Sequence, residues 1–236
     1  MGLNMVVGVL IDTEDDDYTE MVRADFVAID ELLERAGARQ WTEPDLDEEE
    51  GAEFEAWGYS GLHTVRRLAV HLAAGGRLPE PLDGNQRATD DPLLGKVYEA
   101  LPSDPPGPFD HLVHHSDCEG YYVPVDFAQV IVDRKAPGGY LGSSVRLLEE
   151  VRRLAKALGL PEDLDPHSED VFEAACRDTG NPGMAALRRR VLCIPATSPR
   201  CETLDLDRSG HCLHLRRCRR LLMSALTCDG LDGGEG

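Results

Sequence analysis

The sequence predicts an α+β fold: a small mixed or antiparallel sheet with a central β-hairpin over about residues 111–127, packed by about four to five helices. Two observations carry this. Apolar residues recur at helical spacing in separate segments, with short β-branched runs between them. The centre reads "FDHLVHH", "SDCEG", "YYVPVDF", two apolar-containing runs around a polar turn.

The elements follow in order. "NMVVGVLI" (4–11) is short, apolar and ends at acids, as a buried strand does. In "DYTEMVRADFVAIDELLERAGA", Met21, Val22, Phe26, Ile29, Leu32 and Leu33 share helical spacing, and Gly37 can end the helix. Residues 41–56 read as an acidic, solvated loop. "YSGLHTVRRLAVHLAAGG" predicts a helix from a Ser60 cap to Gly75-Gly76. Leu62, Val65, Leu68, Ala69 and Leu72 lie on one face of it, with His63, Arg67 and His71 as a stripe beside them. Pro92 opens a short helix, and the prolines of "PSDPPGP" (102–108) break the chain. After the hairpin, "AQVIVD" continues extended and "RKAPGG" turns. "LGSSVRLLEEVRRLAKALGL" is the strongest helix: Ser143 or Ser144 caps it, Glu149 and Glu150 precede Arg153 and Lys156, and Gly159 stops it. "SEDVFEAACRDTG" begins another.

Charge is distributed unevenly. Residues 1–60 hold 18 Asp and Glu against 3 Arg, a net of −15, within a whole-chain net of −20. Such a front repels nucleic acid and anionic membrane and attracts basic proteins. The start has no basic n-region or cleavage site, and no apolar run spans a bilayer, so a cytoplasmic protein is expected. Seven cysteines, none in C-x-x-C spacing, indicate reduced thiols.

With 116–120 as the hairpin loop, His111, Val113, His115, Tyr121 and Val123 would share one face, and His114 and Tyr122 the other. The candidate functional cluster is His63, Arg67, His115, Asp117, Cys118, Glu119 and Tyr122. No cofactor is expected. The alternative is zinc on His115 and Cys118 or Asp117, completed by His63 or His71. Docking of the Leu62/Val65/Leu72 face on the sheet, at roughly 1.5–3 kcal/mol per buried side chain, would bring Arg67 opposite Asp117 and Glu119 as an ion-pair lock.

The start "MGLNMVVGVL", the helix "YSGLHTVRRLAVHL", the centre "HSDCEGYYVPVDF" and "LGSSVRLLEEVRRL" resemble an uncharacterised bacterial family of hypothetical proteins, over roughly residues 1–175. The resemblance implies an intracellular bacterial protein and directs attention to His115, Asp117, Cys118, Glu119 and Tyr122. It carries no activity, cofactor or fold.

The chain therefore divides into an α+β domain (1–175) and an Arg- and Cys-rich tail (176–236) with no aromatic residue after Phe172. The tail has the composition of a GC-rich gene read out of frame, with the shift expected near 176–190; a genuine variable tail is the alternative.

Two functions follow. The first is a non-enzymatic interaction protein, immunity- or antitoxin-like, binding a basic partner and neither nucleic acid nor membrane. It rests on the acidic front and on the lack of any P-loop, G-x-S-x-G or H-E-x-x-H signature. A DNA-mimicking surface ranks below it, because acidity alone is common. The second is a small metal- or cysteine-dependent hydrolase centred on the 114–119 turn.

Overall fold

Helix α1 (Asp16–Arg35) starts where the Asp15 carboxylate accepts the Asp17 and Tyr18 amides at 3.0 and 3.1 Å, and it buries Val22, Ile29, Leu32 and Leu33. It stops where Gly37 turns to φ +69° and the Ala38 amide returns to the Leu33 carbonyl. The computed structural model describes residues 3–11, 15–44, 51–56, 60–82 and 86–160. The helix expected after Ser168 and the whole 176–236 tail lie outside the described residues.

The architecture is α+β, with five α-helices and two small sheets among the described residues. Strand β1 (Leu3–Val7) pairs antiparallel with β2 (Ala52–Ala56), from Leu3↔Ala56 to Val7↔Ala52. Two expectations are corrected here. The first strand is shorter than 4–11, and Val6 is 50% exposed rather than buried. The acidic loop ends in a strand, because "AEFEA" alternates with the period-two pattern that pairing needs.

Helices α2 (Ser60–Gly75), α3 (Pro92–Glu99), α4 (Asp110–His114) and α5 (Ser144–Leu158) close around Leu68, Leu94, Phe109, Leu112 and Leu154. Leu62, Val65 and Leu72 pack on this core. The α2 face expected on the sheet therefore lies on other helices. The capping devices of α5 are those expected: the Ser143 hydroxyl accepts the Arg146 amide at 3.1 Å, and Gly159 sits at φ +73°.

The second sheet has strand order β3 (Tyr121–Val123), β5 (Tyr140–Ser143), β4 (Ile131–Val132), with β3 parallel and β4 antiparallel to β5. Ile29, Leu32 and Leu33 of α1 pack with Val123, Val125, Phe127 and Leu141 into a second core. Tyr121 ties the two elements by donating to Asp25 Oδ2 at 3.0 Å.

The central hairpin does not form. Residues 110–114 are helical, the polar 116–120 turn joins α4 to β3, and the ladder partner of β3 is β5. A five-residue helix cannot sustain itself in water. Side chains from two other helices hold this one. The Glu150 carboxylate accepts the His111 and Leu112 amides at 3.1 and 2.7 Å. The Arg66 guanidinium donates to the Leu112 and His115 carbonyls at 2.8 and 2.7 Å. A carboxyl group thus meets the N-terminal amides and a cation the C-terminal carbonyls, the cation being where the helix dipole favours it.

β5 passes the turn so closely that a Cβ on Gly142 would overlap the Tyr122 ring and lie 2.9 Å from His115 Cδ2. Those two rings are stacked with centroids 4.0 Å apart, so neither yields freely. Gly142→Ala should cost about 1–3 kcal/mol. A urea midpoint equal to wild type would show that the stack can move aside.

Candidate functional site

Successive turns of α2 present His63, Arg66, and the pair Arg67 and His71 to three different sets of partners. His63 Nδ1 lies 2.8 Å from the Tyr98 hydroxyl, and Nε2 lies 3.3 Å from Asp117 Oδ2. Burial pulls the His63 pKa below its ordinary value, against the opposing pull of Asp117. The helix-to-turn link expected of Arg67 is therefore made by His63. Arg67 instead donates to Asp91 Oδ2 at 2.7 Å and the Glu80 carbonyl at 3.0 Å, and His71 Nε2 lies 2.8 Å from the same Asp91 oxygen. Asp91 Oδ1 also accepts the Leu93 and Leu94 amides at the start of α3. Burial alone would raise the Asp91 pKa, but its hydrogen bonds from His71, Arg67 and the two amides together hold it at about 2. The predicted lock of Arg67 with Asp117 and Glu119 is thus replaced by an Arg67–Asp91–His71 cluster.

The turn organises itself. The Ser116 hydroxyl accepts the Cys118 and Glu119 amides at 3.1 and 3.3 Å. Cys118 and Glu119 are exposed, and the Cys118 thiol lies 3.4 Å from Asp117 Oδ1. His115 is buried, its Nδ1 3.1 Å from the Ser116 carbonyl and its Nε2 3.0 Å from the Tyr121 carbonyl. Its pKa is lowered, burial being the main cause. The Tyr122 hydroxyl donates to the His111 carbonyl at 2.7 Å.

His63 and Asp117 therefore meet, while His115 faces inward onto backbone. Among the described residues no three His, Cys, Asp or Glu side chains are placed to hold a metal, so the zinc set built on His115 and Cys118 is not assembled. Among the described residues no helix is long and apolar enough to cross a membrane.

Five residues take structural roles that the sequence did not predict: Arg66, Asp91, Asp110, His111, which was expected on a hairpin face, and Glu150, which was expected only as one of the two acids preceding Arg153 and Lys156. His111 is fully buried. It accepts the Ser143 amide at Nδ1 (3.0 Å), and its Nε2 lies 3.1 Å from the Phe127 carbonyl, which selects the neutral Nε2–H tautomer. Burial lowers its pKa to about 4. Burial also pushes Glu150 up to about 7, against the pull of the two α4 amides. Asp110 Oδ2 accepts the Val130 amide, while its buried Oδ1 has no hydrogen-bond partner among the described residues. Only Asp91 carried a sequence signal, the Asp-Pro pair of an N-cap followed by Pro at N1.

Much of the polar chemistry of α2 and the turn is thus engaged within the chain. A different set of charges faces solvent: Asp16, Asp17, Glu20, Glu31 and Glu34 are exposed along α1. Fold and surface together define an α+β protein with a carboxylate-studded helix. A family described as "Putative DNA-mimic protein" matches residues 1–194, and the chain belongs to that family. No curated protein and no solved structure matches it.

This membership overturns the immunity- or antitoxin-like reading and its partner. A family of DNA mimics points to proteins that bind DNA as partners, not to a cognate toxin. The DNA-mimicking surface, ranked low on acidity alone, is the reading that the family supports.

Proposed function

We propose that the chain binds DNA-binding proteins in place of DNA, without catalysis, by presenting carboxylates where a duplex presents phosphates. The observation that carries this is the excess of 18 Asp and Glu over 3 Arg in residues 1–60, part of it displayed on α1, in a member of a DNA-mimic family. A DNA-binding surface attracts phosphate through Lys and Arg, and the same side chains pair with carboxylates, with an affinity that falls as salt rises.

The test is displacement of a fluorescein-labelled duplex from a purified DNA-binding protein by the full chain. Displacement is expected at about 50 mM salt, and direct binding of the chain to the same protein without DNA should weaken several-fold by about 200 mM. A chain that leaves the duplex bound at low salt, or whose direct binding ignores salt, is not acting as a DNA mimic.

A further inference from the structure

We propose that the solvent face of α1 is the surface on which the DNA-binding protein docks, an apolar side chain of that partner entering the cleft beside it. The proposal rests on the DNA-mimic reading and adds to it a place and a contact chemistry. The inner face of α1 is spent on the core through Val22, Ile29, Leu32 and Leu33. The outer face is not plainly polar: Val27 is 63% and Met21 54% exposed, and Ala24 between them is exposed too. At 100° and 1.5 Å per residue, this apolar window lies on the same side as Asp17 and Glu20 near one end and Glu31 and Glu34 near the other, the two pairs roughly 21 Å apart along the axis, with Arg35 beside the second pair and engaged by Asp133. Met21, Ala24 and Val27 follow one another at i, i+3 and i+6, so this exposed apolar surface is one contiguous window and not scattered single side chains.

Val27 also lines a cleft of about 320 Å³ with Leu10, Ile11, Phe26 and Trp41. Phe26 and Trp41 meet edge to face at 5.2 Å, which makes that wall stiff. Arg23, Asp30 and Glu43 line the cleft as well, and Asp30 Oδ1 accepts the Trp41 amide at 2.9 Å. The apolar walls suit an aliphatic or aromatic anchor, and the carboxylate pairs at the ends of the face suit the Lys and Arg that contact phosphate in the partner's DNA complex. An apolar anchor in a pocket with charges at the rim is how protein interfaces concentrate their binding energy. Charge complementarity selects the occupant: a protein whose DNA-binding surface is basic around an apolar contact.

The experiment separates this face from acidity in general. The probes are a purified helix-turn-helix repressor and a purified HU-type protein, each holding a fluorescein-labelled duplex. The competitors are the full chain, Val27→Asp and Leu101→Asp. Leu101 is 78% exposed on the segment after α3 and serves as the control for adding one carboxylate. Bulk electrostatics predicts that both variants compete at least as well as wild type. The docking face predicts that Val27→Asp loses about tenfold in potency despite its extra negative charge, with Leu101→Asp within about twofold of wild type. Met21→Asp should repeat the loss, which guards against a folding defect confined to one variant, and far-ultraviolet circular dichroism melts report the fold of each. Equal potency of Val27→Asp and Leu101→Asp would overturn the docking face and leave the mimic reading standing. Failure of wild type to displace either duplex would overturn both.

Discussion

Replacing Arg66 by Met should destabilise the protein by about 3 kcal/mol or more. The guanidinium is 4% exposed and makes its two short bonds to the Leu112 and His115 carbonyls, with a third contact of 3.4 Å to the Ser116 carbonyl. A hydrogen bond from a charged donor contributes about 1.5–3 kcal/mol, and Met would leave these carbonyls buried without a donor. It would also remove the cation from the C-terminal end of α4, a helix too short to stand alone. Arg66→Lys keeps the charge but not the planar fork, so it should recover only part of the loss. Urea unfolding read by circular dichroism checks both. A Met variant within about 0.5 kcal/mol of wild type would mean that α4 does not depend on this contact.

Asp91→Ala should cost about 3 kcal/mol at neutral pH. It removes the α3 cap, about 1 kcal/mol, and leaves buried Arg67 with the Glu80 carbonyl as its hydrogen-bond partner among the described residues. The pH dependence carries the diagnosis. The Asp91 carboxyl is held at about 2 against an ordinary 3.8. A depressed acid contributes stability that is fully present above its unfolded pKa and is lost as pH falls through the folded one. The shift corresponds to roughly 2.5 kcal/mol. The gap between wild type and Asp91→Ala should therefore narrow as pH falls from about 4 to about 2. A gap that stays constant over that window would detach the cost from the ionised carboxylate.

The separate legibility of the elements follows from where their determinants lie. α1, α3 and α5 each carry cap, apolar spacing and stop signal within a single stretch of sequence: Asp15 to Gly37, Asp91 to Pro102, Ser143 to Gly159. Strand β2 was hidden because the acids around "AEFEA" made the whole segment resemble solvated loop, although its alternation was present. The candidate site was only partly legible. Density of titratable groups drew attention to 114–119, yet His115 turns its ring onto the Ser116 and Tyr121 carbonyls, and the ion pairs of α2 go to Asp91 and Asp117. Charge state depends on burial, and burial is a property of the packed chain.

The segment "DHLVHH" shows the boundary most clearly. The adjacent Leu112 and Val113 ahead of a polar turn suggest a short strand, while His111, His114 and His115 stand at the i, i+3, i+4 spacing of a helix face. Nothing local chooses between them. The helix prevails because Glu150, 39 residues away, accepts the His111 amide and Arg66, 46 residues away, donates to the Leu112 carbonyl. By itself the sequence determined the α+β class, the helices that carry their own caps and the acidic front of the chain. Only the tertiary structure decided α4, the partner of β3 and the inward turn of His115, because the free energy that selects them comes from groups that meet only after the chain has folded.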